Sequence, residues 1–179
     1  MKKKIKNSAN HLVLHLVSPR STKGVLRIGH QFYSCAIGKN GIKPNKTEGD
    51  GTTPKGIWAL GSIYFRPDKL KRPRSHLKTR PIHKKDLWCD DPKSSLYNRP
   101  VKSPFIFSAE KLWRDDAQYD LLIVVKYNMS PCVKYKGSAI FIHVRKNAHY
   151  PPTEGCLVFR KSDLLKIIKF IGPRTRLHI

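Results

Sequence analysis

Negative charge is what this chain of 179 residues has least of: 12 Asp and Glu stand against 36 Lys and Arg, a net charge of +24. Such an imbalance sets up a long-range field that attracts polyanions and is screened within about 8 Å at physiological salt. The basic residues are scattered, however, with concentrations at 1–6, 66–85 and 160–176, and no helix-turn-helix, zinc-finger or RNA-binding signature goes with them. The charge therefore reads as a solvated basic surface, and no specific nucleic-acid partner is expected. Long apolar runs are missing too. No window approaches the roughly eighteen apolar residues of a membrane-spanning helix, so no transmembrane segment is expected. Lys2-Lys3-Lys4 is followed only by the short run 11–17, which contains His11 and His15 and no small-residue cleavage site, so it reads as a first strand rather than a signal-peptide core. The four cysteines, Cys35, Cys89, Cys132 and Cys156, lack C-x-x-C spacing, which excludes a zinc knuckle or a thioredoxin motif. No metal or cofactor is expected, and the redox state of the thiols stays open.

What is present is enough for one domain with a real core and not for two full-sized ones. Apolar residues make up 39% of the chain, but they are gathered into runs, which argues against disorder. Residues 11–17, 24–29 and 31–37 read as successive short strands closed by a Gly38-Lys39-Asn40-Gly41 turn. From 42 to 54 the chain is polar and rich in turn formers, predicting a surface segment, before Ile57-Trp58-Ala59-Leu60 returns to a sheet. Residues 119–127, YDLLIVVKY, are the most strand-like stretch and predict a central strand. A serine cap predicts a short helix over 108–114, with Leu112 and Trp113 facing inward. Ser162 opens an amphipathic helix carrying Leu164, Leu165, Ile167, Ile168 and Ile171, ended by Gly172-Pro173 and followed by a last strand over 175–179. Residues 64–104, with six prolines and little apolar periodicity, are too long for an ordinary loop. They predict a lid or wall beside a functional site, anchored by Trp88 and Tyr97. The organisation expected is a basic tail over 1–10 and a single mainly β domain over 11–179, a sandwich or half-barrel with one or two short helices.

The chemistry is concentrated in 137–160. Ile140, Phe141, Ile142 and Val144 suit a buried strand, which places His143 at a strand end. Tyr150-Pro151-Pro152 breaks regular structure, and Thr153-Glu154-Gly155-Cys156 reads as a tight turn into a second apolar run, 157–159. A thiol with an ordinary pKa near 8.5 becomes a nucleophile when a neighbouring imidazole takes its proton. Glycine ahead of the cysteine lets a substrate carbonyl approach backbone N–H groups that bind an oxyanion. The plain alternative is a buried structural cysteine and a strand-end histidine bonded to a carbonyl. His149 is the only rival base nearby. His30, His76, His83 and His178 have no companions in the sequence and read as surface residues.

The run from His143 through Thr153-Glu154-Gly155-Cys156 resembles the active-site signature of the L,D-transpeptidase (YkuD-type) family, where an I-H segment precedes [S/T]-x-G-C. The resemblance extends to 46–58, similar to the family's G…TP.G.(W/F) turn. It extends further to Trp88-Cys89-Asp90-Asp91-Pro92 and Tyr97-Asn98-Arg99-Pro100, which resemble the T-x-G-C subgroup. It implies that Cys156 is the nucleophile, His143 the proton donor and acceptor, and Gly155 an oxyanion-hole amide. Glu154, Val144 and Val158 stand where many members have histidine, glycine, and asparagine or arginine, so the group orienting the base is left to a backbone carbonyl not named by the sequence. Arg99, Tyr97, Asn98, Asp90 and Asp91 are candidates for gripping a zwitterionic stem peptide, with capping or pairing to surface lysines as the plain reading of the aspartates. The activity implied is peptidoglycan L,D-transpeptidation by a monomer in the cell envelope. The same site with water as acceptor gives an L,D-carboxypeptidase or endopeptidase, and a binding module for anionic polymer is the rival of another class.

Overall fold

A computed structural model of the chain describes residues 9–146 and 149–179. Its fourteen strands follow from short apolar runs punctuated by glycine and proline: β1 (His11–Leu16), β2 (Lys23–Ile28), β3 (Gln31–Ala36), β4 (Ile42–Lys43), β5 (Thr53–Pro54), β6 (Ile57–Phe65), β7 (Thr79–Pro81), β8 (Asp86–Cys89), β9 (Pro100–Lys102), β10 (Ala109–Lys111), β11 (Leu121–Val125), β12 (Phe141–Val144), β13 (Leu157–Phe159) and β14 (Arg176–His178). The α-helix, α1, spans Lys161–Ile167. The main sheet runs β11-β12-β13-β3-β2-β1-β14-β6-β7, and β6 also pairs with β11, which closes eight of its strands into a ring. A second sheet, β10-β8-β9, packs outside the ring.

Period-two alternation sorts the side chains into two apolar clusters. Leu121, Ile123, Val125, Ile142, Val144, Leu157 and Phe159 point into the larger cluster, joined there by Leu164 and Ile167 of α1 and by Ile168 at its C-cap. Leu122, Val124 and Phe141 point the other way, into a smaller cluster completed by Tyr64, Ile82, Trp88, Leu112 and Tyr119. The second sheet covers this outer face, with the Trp88 ring edge-on to Phe141 at 5.1 Å.

The mainly β architecture expected from the sequence is the one found. The first three strands agree within a residue, and β11 is interior, flanked by β12 and β6. Two local expectations are corrected. Residues 108–114 do not form a helix, because β10 pairs antiparallel with β8 and tertiary pairing overrides the cap signal of Ser108. Leu112 is buried as expected, and Trp113 packs on the smaller cluster. Residues 64–104 are not structureless: β7, β8 and β9 lie there, each too short to show a period, and Pro81 and Pro100 occupy strand ends where a missing N–H does little harm. Trp88 and Tyr97 are both buried, as anchors should be. In α1, Arg160 takes the cap position without a side-chain bond, and Ser162 already lies inside the helix. Of the segment read as a basic tail, residues 1–8 lie outside those described. Ala9 donates its N–H to Phe170 O at 2.6 Å, and Asn10 O accepts from the Arg176 N–H at 2.8 Å.

Candidate active site

Strands β12 and β13 run parallel with Ile142 opposite Leu157 and His143 opposite Val158. One step back, Cys156 falls opposite Phe141, and alternation puts His143 and Cys156 on the outer face of the ring, diagonal to one another. The imidazole is buried, its ring edge-on to Tyr119 at 5.0 Å. Its Nδ1 lies 2.9 Å from Val144 O. A carbonyl only accepts, so in the neutral ring Nδ1 carries the proton. The orienting group is therefore a backbone carbonyl, that of the residue next in the chain. Burial pulls the His143 pKa down to about 4, against backbone hydrogen bonds to Val144 and Gln118 that favour the charged ring.

Cys156 Sγ accepts from the Phe141 N–H and donates to Ala139 O, each at 3.3 Å. Burial pushes this thiol up to about 12; the Phe141 N–H and the Lys46 charge act against that, and Glu110 adds to it. At neutral pH the pair at rest is thus a neutral thiol and a neutral imidazole. A catalytic cycle here must move the thiol proton when substrate arrives, rather than start from a stored thiolate.

The turn before the cysteine is fixed on all sides. Gly155 has φ +138, and a Cβ there would stand 2.6 Å from Thr52 O, so a side chain is excluded both by conformation and by the approach of the neighbouring backbone. Its N–H donates to Thr153 Oγ1 at 3.1 Å, and its carbonyl accepts from Thr53 Oγ1 at 2.9 Å. In this conformation the Gly155 amide is bonded to the Thr153 hydroxyl. Thr153 Oγ1 in turn donates to Cys156 O at 2.7 Å, and the Thr153 backbone bridges Ile37 O and the Lys39 N–H.

Facing this turn is the segment 46–53, which corrects the expectation of a surface stretch: Lys46, Thr52 and Thr53 are buried. Asp50 organises it, accepting from Lys46 Nζ (2.7 Å), Thr47 N (2.9 Å), Thr52 N (3.0 Å) and Thr52 Oγ1 (2.8 Å). Burial disfavours the Asp50 carboxylate, but these bonds outweigh it and hold its pKa well below the usual range. Glu48 Oε2 accepts from Ser138 Oγ at 2.7 Å and from the Tyr97 hydroxyl.

A cleft of about 550 Å³ opens over the pair, lined by Cys156 and His143 and by charged groups from several elements. Of the residues expected to grip substrate, Asp90 lines it, with Oδ1 buried and without a hydrogen-bond partner. Asp91 Oδ1 accepts from the Lys93 N–H in its own turn, at 2.9 Å. Tyr97 and Asn98 are buried. The Tyr97 hydroxyl accepts from the Gly137 N–H, and Asn98 bonds Trp88 Nε1, the Ala139 N–H and the carbonyls of Tyr127 and Asn128. Arg99 reaches Met129 O. These three brace the backbone behind the cleft. Sequence reasoning missed Lys46, Glu110, Arg114 and Gln118 on the lining. One signal was available: Glu48, Asp90, Glu110 and Glu154 are four of only 12 acids, and all four line this cleft. His149 is exposed and is not among the described residues that line it. His178 does have a companion, since its Nε2 lies 2.8 Å from His11 Nδ1 across the β14–β1 pair.

The mainly β, barrel-like sheet is consistent with a YkuD-type fold. The chain belongs to the YkuD family of L,D-transpeptidase catalytic domains, which matches residues 16–179. Among solved structures it is similar to that of Bdellovibrio bacteriovorus Bd1075, at 18% identity and a TM-score of 0.42, over 99% of this chain and 49% of that one. The chain therefore spans about half the length of that protein. No curated protein matches it.

Proposed function

We propose that the protein is a peptidoglycan L,D-transpeptidase that works by cysteine acyl transfer, with Cys156 as nucleophile and His143 as the proton carrier. The observation that carries this reading is the pair itself: a buried imidazole on β12 and a half-buried thiol at the residue that leads into the neighbouring β13, both lining one cleft. The donor is a tetrapeptide stem. As Cys156 Sγ attacks the carbonyl between the L-centre of diaminopimelate and D-alanine, its proton passes to His143 Nε2 and the carbonyl electrons move to oxygen. When the tetrahedral adduct collapses, the C–N bond breaks, His143 returns the proton to the departing amine, and a thioester remains. The side-chain amine of a second stem then attacks, gives a proton to His143, and expels the sulfur, which recovers that proton. One amide replaces another, so no nucleotide is consumed. Oxyanion stabilisation falls to backbone N–H groups of the Gly155–Cys156 turn, with Gly155 exchanging its Thr153 partner for the oxyanion.

The four acids on the cleft suit an amine acceptor in an otherwise strongly basic molecule, and Asp90, whose Oδ1 has no partner, is the group best able to receive an ammonium. The working place implied by the family's substrate is the cell envelope. The test is mass spectrometry of muropeptides after incubating the protein with tetrapeptide-bearing peptidoglycan fragments. Loss of D-alanine with new dimers is the expected result. Loss without dimers would make water the acceptor and the enzyme an L,D-carboxypeptidase or endopeptidase, while no change would leave a binding module for anionic polymer. Cys156→Ala should abolish turnover and leave the fold intact, and turnover that survives it would overturn the mechanism.

A further inference from the structure

Among the described residues two basic side chains, those of Lys46 and Arg66, are buried, and that of Lys46 is only 2% exposed. A buried ammonium is costly unless paired, and Asp50, 2.7 Å away, supplies the pairing. A pair kept only for architecture is commonly matched in stability by an apolar packing of the same volume, so its position is the informative feature. Lys46 Nζ lies 3.4 Å from where a Cβ on Gly155 would stand, and the Lys46 stem runs against Gly137, whose added Cβ would meet Cε at 2.9 Å. Two glycines with positive φ thus leave room for this side chain to reach the turn that carries Cys156. The ammonium also lines the cleft.

We propose that Lys46 is an electrostatic positioning residue: held by Asp50 beneath the Gly155–Cys156 turn, its ammonium stabilises the negative charge that passes through the Cys156 sulfur during acyl transfer. The need for it is set by the surroundings of the sulfur. Burial opposes a thiolate there, the Glu110 carboxylate works in the same direction, and the buried Tyr119 phenol offers no positive charge. His143 becomes a cation only by taking the thiol proton. On the favourable side stand the Phe141 N–H and Lys46. Arg114 is engaged with Glu110 and Asp116, and Glu154 with Lys39. Asp50 is shared between Lys46, its own loop N–H groups and Lys43 at 3.9 Å, so its charge is not given to Lys46 alone.

The inference rests on Cys156 being the reacting group, and its test reads that sulfur directly. The full chain is alkylated with iodoacetamide from pH 7 to 10, and modification of the Cys156 peptide is followed by mass spectrometry. Lys46→Met should slow alkylation at Cys156 about tenfold at every pH, the effect of losing one favourable charge in a partly screened interior. Asp50→Asn, which keeps one acceptor oxygen for Lys46 and Thr52 but removes the counter-charge, should speed it severalfold, and Lys43→Met should leave it unchanged. A purely structural role predicts that the Lys46 and Asp50 variants shift in the same direction, and that outcome would overturn the proposal. So would a Lys46→Met rate within twofold of the parent. Should Lys46→Met fail to fold, Lys46→Gln and the Asp50→Asn rate decide the sign by the same criteria. Alkylation needs no turnover: opposite shifts in a protein that leaves muropeptides untouched would refute the proposed reaction and keep the role of Lys46, whereas turnover with no shift would do the reverse.

Discussion

The two faces of β12 differ in kind. On the inner face, Ile142 and Val144 lie in the larger apolar cluster, and the ring closes around them. On the outer face, Phe141 shares a smaller cluster with Trp88, Tyr119 and Cys156, His143 lies edge-on to Tyr119, and a cleft reaches the surface. The lesson is one of division: the inner face fixes where the strands lie, and the outer face, held by that scaffold, can carry groups whose burial is unfavourable. His143 and Cys156 both pay in desolvation, one pulled down to about 4 and the other pushed up to about 12. Each shift is what desolvation does to a titratable group, favouring its neutral form.

Substitutions on the two faces should therefore separate activity from stability. The largest effect expected is on the outer face, where His143→Ala should lower the rate at neutral pH by about a hundred- to ten-thousandfold, the span of general acid–base catalysis. His149→Ala should stay close to the parent, and the reverse ranking in a turnover assay would make His149 the base. On the inner face, Phe159→Ala should cost about 3–5 kcal/mol in denaturant unfolding, since Phe159 is fully buried and the void cannot collapse within a closed ring. A similar loss from Cys156→Ala would break the distinction between the faces.

Acid should expose the burden on the outer face next. The unfolded chain protonates His143 near pH 6.5, and the folded chain only near 4, so the unfolded state binds more protons between those values. Stability contributed by the neutral ring is fully present above pH 6.5 and is lost as pH falls to about 4, by on the order of 3 kcal/mol. Melting curves of His143→Gln should lack that part of the acid dependence; an unchanged profile would mean that other groups carry it. The smallest effect expected is for Asp91→Asn, whose side chain caps its own turn: turnover within about twofold and stability within about 1 kcal/mol.

Much of this arrangement was legible in the sequence where one element carries its own pattern. The apolar run of β11, the spacing of Leu164, Ile167 and Ile168, and the order of His143 and Cys156 are local signals. The missed features depend on partners distant in the chain. Strands β7 to β10 are three or four residues long and exist because they pair, which no short window reports. Lys46 looked like a solvated lysine among many, since burying it requires Asp50, Gly137 and Gly155 to converge. Tyr97 and Asn98 read as substrate contacts from their polarity, but both turn inward to backbone groups. The group that orients His143 is a main-chain carbonyl, which every residue possesses and no sequence marks.

Thr153 gives the Gly155–Cys156 turn a property that a rate assay would not show. β13 meets β3 through the single pair Val158 and Ala36, the thinnest join in the ring, and Thr153 extends it by bonding Ile37 O and the Lys39 N–H. That join is where the ring should open first under native conditions, and the amides of Lys39 and Thr153 are its reporters in hydrogen exchange. Their protection measures the free energy of unzipping the segment that carries Cys156, so a ligand seated across the cleft should slow both amides together while leaving the β1–β2 amides as they were.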